Sequence, residues 1–192
     1  MKNVGGRGTT GAGMLLIASD GRVLVGYTNK IGEWSGFGGK MHEGETPWEC
    51  AVRETYEELF GCAPPAIAIE CLRQVEPLQK KRSPYLTYPV ILDTVIDLGP
   101  FSSPYYDMIP CTVDTICRRR KIGLAEQEIG ELRLMSVTDI LGGDGSGSGA
   151  AAAIAADLTT VRNAAIAAEF IEDVTLLVQK WLPSQNAPNR SQ

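Results

Sequence analysis

Three glutamates, Glu54, Glu57 and Glu58, stand at i, i+3 and i+4 in the run Arg53-Glu54-Thr55-Tyr56-Glu57-Glu58. In a helix that spacing places all three carboxylates on one face. Like charges so placed weaken a helix by roughly 0.2–0.5 kcal/mol per pair unless a cation neutralises them. A hard divalent ion with oxygen ligands would do so. On an arbitrary helix such a trio reads as a solvated acidic face, but its surroundings here favour chemistry. Glu45 lies just ahead of the helix, and Arg53 can reach back to it or forward to Glu57 as a charge-assisted partner. The Gly38-Gly39 backbone permits close approach because no side chain intrudes. Loop and helix together outline a metal cradle.

Read from Gly39, the chain runs five residues to Glu45, seven more to Arg53-Glu54, and on to Glu57-Glu58. This resembles the Nudix box, G-x5-E-x7-R-E-U-x-E-E-x-G-U with U aliphatic, and all six fixed positions from Gly39 to Glu58 match. Such a pattern is far more specific than a lone glycine motif. Thr55 stands where an aliphatic residue is usual, and the closing glycine falls at Gly61 rather than at Phe60. Both departures bear on the packing and end of the helix, not on the carboxylates. The resemblance spans residues 11–141 and implies an α/β/α sandwich with a mixed central sheet. It implies that Glu54, Glu57 and Glu58 ligate magnesium, with manganese as the alternative ion, aided by the Gly39 carbonyl. Glu45 and Arg53 would support the loop and helix geometry while water attacks a bridging diphosphate. Magnesium suits this task because it withdraws charge from phosphate oxygens and lowers the pKa of a bound water. A further acid is implied on a later segment, with Glu131 the first choice and Glu128 the second; the general base stays open among Glu54, Glu57 and Glu131.

The loop Trp34-Ser35-Gly36-Phe37-Gly38-Gly39-Lys40, followed by Glu43-Gly44-Glu45-Thr46, is similar to the oxidised-purine nucleoside triphosphatase branch of that family. The similarity implies substrate contacts from Trp34, Phe37, Gly38 and Lys40. Ser35 stands where that branch carries asparagine, and no Trp-Pro-Asp-Asp-like segment follows to read the base. The expected substrate is a nucleoside triphosphate, released as monophosphate and pyrophosphate. Two alternatives stay open: an mRNA cap hydrolase acting on capped RNA, and a catalytically inactive Nudix-fold binding module. The intact carboxylate set argues against the second.

Several elements must position these groups. Residues 12–18 and 22–27 are apolar runs separated by Ser19-Asp20-Gly21, a hairpin signature. Thr46-Pro47-Trp48-Glu49 supplies an N-cap, a first-turn proline and a capping-box glutamate, predicting a helix from Pro47 to Leu59. Ala66 to Val75, Tyr88 to Leu98 and Leu132 to Val137 read as further strands. The glycine and serine run at 142–149 reads as a flexible linker ahead of an alanine-rich stretch. Ile166, Phe170, Val174, Leu177, Val178 and Trp181 then form an apolar stripe on a closing helix over 163–182, stopped by Pro183.

The whole reads as one domain over 1–183 with a disordered tail at 184–192. A chain of 192 residues with 44% apolar content fills a core unaided, and its net charge of −5 opposes a broad nucleic-acid surface. The compact basic clusters Lys80-Lys81-Arg82 and Arg118-Arg119-Arg120-Lys121 could hold triphosphate or an RNA backbone, the first reading rather as solvated charge. The lone histidine, His42, reads as a solvated loop residue, and Tyr85, Tyr88, Tyr105, Tyr106 and Phe101 mostly as core. Five cysteines without a C-x-x-C pair point to a reducing compartment. With no apolar leader and no membrane-length stretch, the expected location is the cytoplasm, without membrane association; oligomeric state is left open.

Overall fold

The computed structural model describes residues 9–72, 75–80, 83–100, 102–106, 112–118, 128–142 and 166–181. The linker beyond Gly142, the alanine-rich stretch, the start of the closing helix, the 184–192 tail, Phe101 and most of both basic clusters lie outside them.

Strands β1 (Gly11–Ile17) and β2 (Val23–Thr28) form the expected hairpin. Gly21 takes a φ of 84°, and the Asp20 carboxylate accepts from the Arg22 backbone N–H at 3.0 Å and from Nε at 2.7 Å. Next come β3 (Glu33–Ser35), β4 (Phe37–Lys40), α1 (Pro47–Phe60) and α2 (Ala66–Cys71). They are followed by β5 (Leu78–Gln79), β6 (Tyr85–Ile91), α3 (Leu92–Asp97) and α4 (Val113–Ile116). Strand β7 (Ile129–Met135), α5 (Val137–Ile140) and α6 (Ala168–Leu176) complete the order, α6 running on into a π-helical turn over Leu177–Trp181.

The sheet is mixed. Its order is β3-β2-β1-β6-β5, with β4 also on β1 and β7 also on β2; β1 and β6 are parallel and the other pairs antiparallel. Residues 33–40 change neighbours midway, since β3 pairs with Gly26–Thr28 of β2 whereas β4 pairs with Gly11–Met14 of β1. Every residue of β1 is buried because both sheet faces are covered. Ala12, Met14 and Leu16 meet the α1 side with Val52, Tyr56 and Leu59, whereas Leu15 and Ile17 meet Phe170, Val174 and Leu177 of the closing helix. Each large apolar side chain so buried contributes about 1.5–3 kcal/mol. The result is the expected α/β/α layering.

Two strand expectations are corrected. Residues 66–71 form α2, because Pro65 holds an extended N-cap and alanines at 66 and 68 favour a helix over a pleated strand. Strand β6 starts earlier and ends at Ile91; Leu92, Val95 and Ile96 then bury at helical rather than alternating spacing. Helix α1 extends to Phe60, one residue further than predicted. Gly61, at a left-handed φ of 71°, caps it by donating to the Glu57 carbonyl at 3.0 Å.

Candidate active site

The capping box fixes where α1 begins and therefore which face its glutamates occupy. Thr46 Oγ1 accepts from the Glu49 N–H at 3.2 Å, and the Glu49 carboxylate accepts from the Thr46 N–H at 2.8 Å.

Arg53 is the hub of the cradle. Its Nε and one terminal nitrogen grip the two oxygens of Glu45 at 2.8 and 3.0 Å. The other terminal nitrogen donates to Glu54 at 2.7 Å and to Glu57 at 3.1 Å, and the terminal nitrogen on Glu45 also donates to the Lys40 carbonyl at 3.0 Å. The Arg53 side chain is 15% exposed and that of Glu45 12%, so water screens this fork only weakly. The guanidinium holds the Glu45 carboxyl below its usual range, and Glu45, with Glu54 behind it, holds the Arg53 proton more tightly than usual. One side chain thus ties the box loop to the helix.

Glycines bring the loop backbone against the carboxylates. The Gly38 N–H donates to Glu58 at 2.9 Å. A Cβ at Gly39 would stand 2.5 Å from both Glu54 oxygens, so only glycine leaves room for that carboxylate. Beneath this contact lies buried Cys50, whose Sγ is 3.7 Å from the Gly39 carbonyl; burial pushes its thiol up to about 11. Thr55, the departure from the aliphatic pattern, is fully buried in the helix's packed side.

The oxygens of Glu54, Glu57, Glu58 and the Gly39 carbonyl match a hard divalent cation in chemistry. Among the described residues, no three acidic, histidine or cysteine side chains are already drawn together at ligand spacing. Arg53 engages one oxygen each of Glu54 and Glu57, leaving Glu54 Oε2 and Glu57 Oε1 without a bond to the guanidinium.

A cavity of about 440 Å³ opens on the other side of Gly38, between the sheet and α6. Phe37 and Gly38 line it, as do Met14, Leu15 and Phe170. Its polar walls include Lys80, Thr87 and Asp173, which sequence reasoning missed. Lys80 reads as a solvated charge in its basic run, yet it is buried and paired with Asp173 at 3.1 Å. Its buried partner lies 93 positions further on, so no local pattern could reveal it.

Other singled-out residues sit elsewhere. Trp34 is buried against Tyr27, with ring centroids 5.4 Å apart and the Arg133 guanidinium 5.3 Å from its ring, and it is not among the cavity walls. Lys40 is exposed and offers its carbonyl to Arg53. Glu131 lies opposite Tyr27 on β7, pairs with Arg133 at 2.9 Å, and has no bond to the cradle among the described residues. Glu128 offers its carbonyl to Asn29. His42 is exposed. No helix among the described residues is long and apolar enough to cross a membrane, and the four described cysteines are free thiols.

A 48-residue stretch is 44% identical to an oxidized purine nucleoside triphosphate hydrolase of Danio rerio, covering 23% of this chain and 31% of that protein. The chain therefore spans about a third of the length of the curated relative it matches. Among solved structures, the chain is similar to a Nudix hydrolase from M. smegmatis at 16% identity, with 96% of this chain and 90% of that one covered and a TM-score of 0.44. It is also similar to the NUDIX domain of Shewanella oneidensis NrtR, bound there to ADP ribose, at 12% identity, covering 91% and 88% with a TM-score of 0.45. The family model of the NUDIX domain matches residues 8–152, which take in the box loop, α1 and all seven described strands, and the chain belongs to the Nudix family.

Proposed function

We propose that this chain is a divalent-metal-dependent pyrophosphohydrolase that cuts a nucleoside triphosphate into monophosphate and pyrophosphate. The observation that carries this reading is Gly38. Its N–H steadies Glu58 in the cradle, and the same residue lines the cavity. A ligand with a flat apolar end and a phosphate chain would fill the cavity with one end and reach the carboxylates with the other.

Glu54, Glu57, Glu58 and the Gly39 carbonyl would hold the ion, magnesium or manganese. Bound there, it would withdraw charge from the phosphate oxygens and acidify a water. Glu45 acts through Arg53 by holding the guanidinium fork, which fixes the box loop against α1. Glu57, whose side chain is 46% exposed, and Glu54 would be the candidates to accept the proton of the attacking water. The water oxygen bonds to phosphorus, the bridging P–O bond breaks, and pyrophosphate leaves with the electron pair. The partial match to an oxidized purine nucleoside triphosphate hydrolase supports the choice of substrate.

The test is a panel of nucleoside triphosphates incubated with magnesium. Pyrophosphate and monophosphate are the expected products, and Glu57→Gln should lower turnover by about 10²–10³-fold with the fold unchanged. Release of orthophosphate, or a folded Glu57→Gln protein with near-normal turnover at saturating magnesium, would sink the assignment.

A further inference from the structure

The cavity holds an unusual set of buried polar atoms. Lys80, Thr87 and Asp173 are 5%, 4% and 6% exposed. They come from separate elements, Lys80 just after β5, Thr87 on β6 and Asp173 on α6, and all three line the same cavity. Lys80 Nζ donates to the Glu169 carbonyl at 2.7 Å and pairs with Asp173 Oδ2 at 3.1 Å. Those two contacts occupy two of its three donors. Asp173 Oδ1 and Thr87 Oγ1 have no hydrogen-bond partner; the hydroxyl helps hold the carboxylate charge without reaching bonding geometry. Buried polar atoms are rarely left unmatched. Anchoring α6 to the sheet needs only the two contacts that Lys80 already makes. What is left over is an acceptor, a hydroxyl and an ammonium hydrogen beside apolar walls.

We propose that Asp173, Lys80 and Thr87 read the edge of a planar heterocycle that carries a ring N–H beside a carbonyl, the lactam edge of guanine, hypoxanthine or uracil. Asp173 Oδ1 accepts the ring N–H. The neighbouring carbonyl takes the third ammonium hydrogen of Lys80 or the Thr87 hydroxyl. Leu15 and Phe170, which share the closing-helix side of the sheet with the cavity, cover the flat faces. Adenine and cytosine present a bare ring nitrogen at that position, setting its lone pair against the carboxylate oxygen, and are rejected. A site built around a buried hydrogen bond discriminates strongly against an analogue lacking it, because its own polar groups then go unmatched. The proposal rests on the nucleotide reading above and makes these residues specificity determinants of that site.

The orientation of an amide at position 173 can be foretold. In Asp173→Asn the amide oxygen turns to Lys80, a donor, which leaves the NH₂ facing the cavity. The free corner changes from acceptor to donor, so the preference should move from hypoxanthine toward adenine.

The test uses the full chain at pH 8. Calorimetry measures binding of inosine 5′-monophosphate against its N1-methyl derivative, which lacks the ring N–H, and steady-state kinetics compares inosine and adenosine triphosphates with magnesium. Methylation should weaken binding at least tenfold, and Asp173→Asn should shift the inosine-to-adenosine ratio of kcat/KM by at least tenfold toward adenosine. Equal affinity for the two monophosphates, no binding of either at millimolar concentration, or an equal loss for every nucleotide in Asp173→Asn would overturn it. If Asp173→Asn does not fold, the methylated probe on the wild-type protein decides alone. Discrimination between monophosphates without cleavage of any triphosphate would sink the hydrolase reading and leave this proposal standing. Cleavage without discrimination would do the reverse.

Discussion

Replacing Gly39 by alanine tests the cradle with a single methyl group. The added Cβ would lie 2.5 Å from both oxygens of the Glu54 carboxylate, where ordinary contact begins at 3.4 Å. The carboxylate must therefore retreat by about 1 Å, a displacement that can cost on the order of 10²-fold in rate when the group is part of a catalytic constellation. It cannot retreat freely, because Arg53 holds Glu54 at 2.7 Å and the same guanidinium holds Glu45 from both oxygens. The expected result is a fall in kcat/KM for the best nucleotide of about 10²-fold, equivalent to ~2.7 kcal/mol of barrier. The magnesium concentration for half-maximal rate should rise as well. Stability should move little, since position 39 needs no positive φ and the clash involves one side chain. Steady-state kinetics over a magnesium series, with thermal unfolding by circular dichroism alongside, gives both readouts. A folded Gly39→Ala protein within threefold of wild type at low and high magnesium would refute the reasoning.

Three further outcomes follow from the same contacts. Arg53→Lys keeps the charge but loses the fork on Glu45, so it should destabilise the fold by about 1–3 kcal/mol in urea unfolding and lower turnover; an unchanged midpoint would show that the fork contributes nothing. Gly61→Ala forces a side chain into a left-handed cap with its Cβ 2.7 Å from Tyr105 and 2.8 Å from Pro104, and should cost about 1–2 kcal/mol by thermal unfolding, a neutral result speaking against the cap. Burial pushes the Asp173 carboxyl up to about 6 from an ordinary 3.8, so the folded chain binds that proton more tightly than the unfolded chain, and stability falls as pH rises through this window by up to ~3 kcal/mol. Glu45, held low by Arg53, runs the other way and loses its contribution in acid. The unfolding free energy of wild type relative to Asp173→Asn should therefore drop between about pH 4 and pH 7, and a flat difference would refute the burial effect.

The helix that carries the three glutamates was legible in the sequence because its signals are local. Glu54, Glu57 and Glu58 share a face by helical periodicity, and Thr46, Pro47 and Glu49 announce the start of that helix within four residues. The β1–β2 hairpin was legible for the same reason, through Asp20-Gly21. The run from Ala66 was not, since short apolar stretches carry no period, and helix propensity and the preceding prolines settle it only in context. Nor were the polar walls of the cavity. Lys80 sits in a basic trio that looks solvated until an acid on the closing helix is brought against it, and tertiary contact alone does that. Trp34 and Phe37 lie three apart on one loop, but the chain changes strands between them, and their side chains bury in opposite clusters, Trp34 on the closing-helix side and Phe37 on the α1 side.

That change of strands has a consequence for how such a protein can diversify. Gly39, Arg53 and Glu54 sit on β4 and α1, whereas Lys80 follows β5, Thr87 lies on β6 and Asp173 on α6. Among the described residues the two sets come together at the Gly38 amide and at the Tyr85 side chain, which lines the cavity and feels both Glu58 and Asp173. A lineage, or an engineer, can therefore rewrite the walls contributed by the closing helix while the network around Arg53 is inherited unaltered.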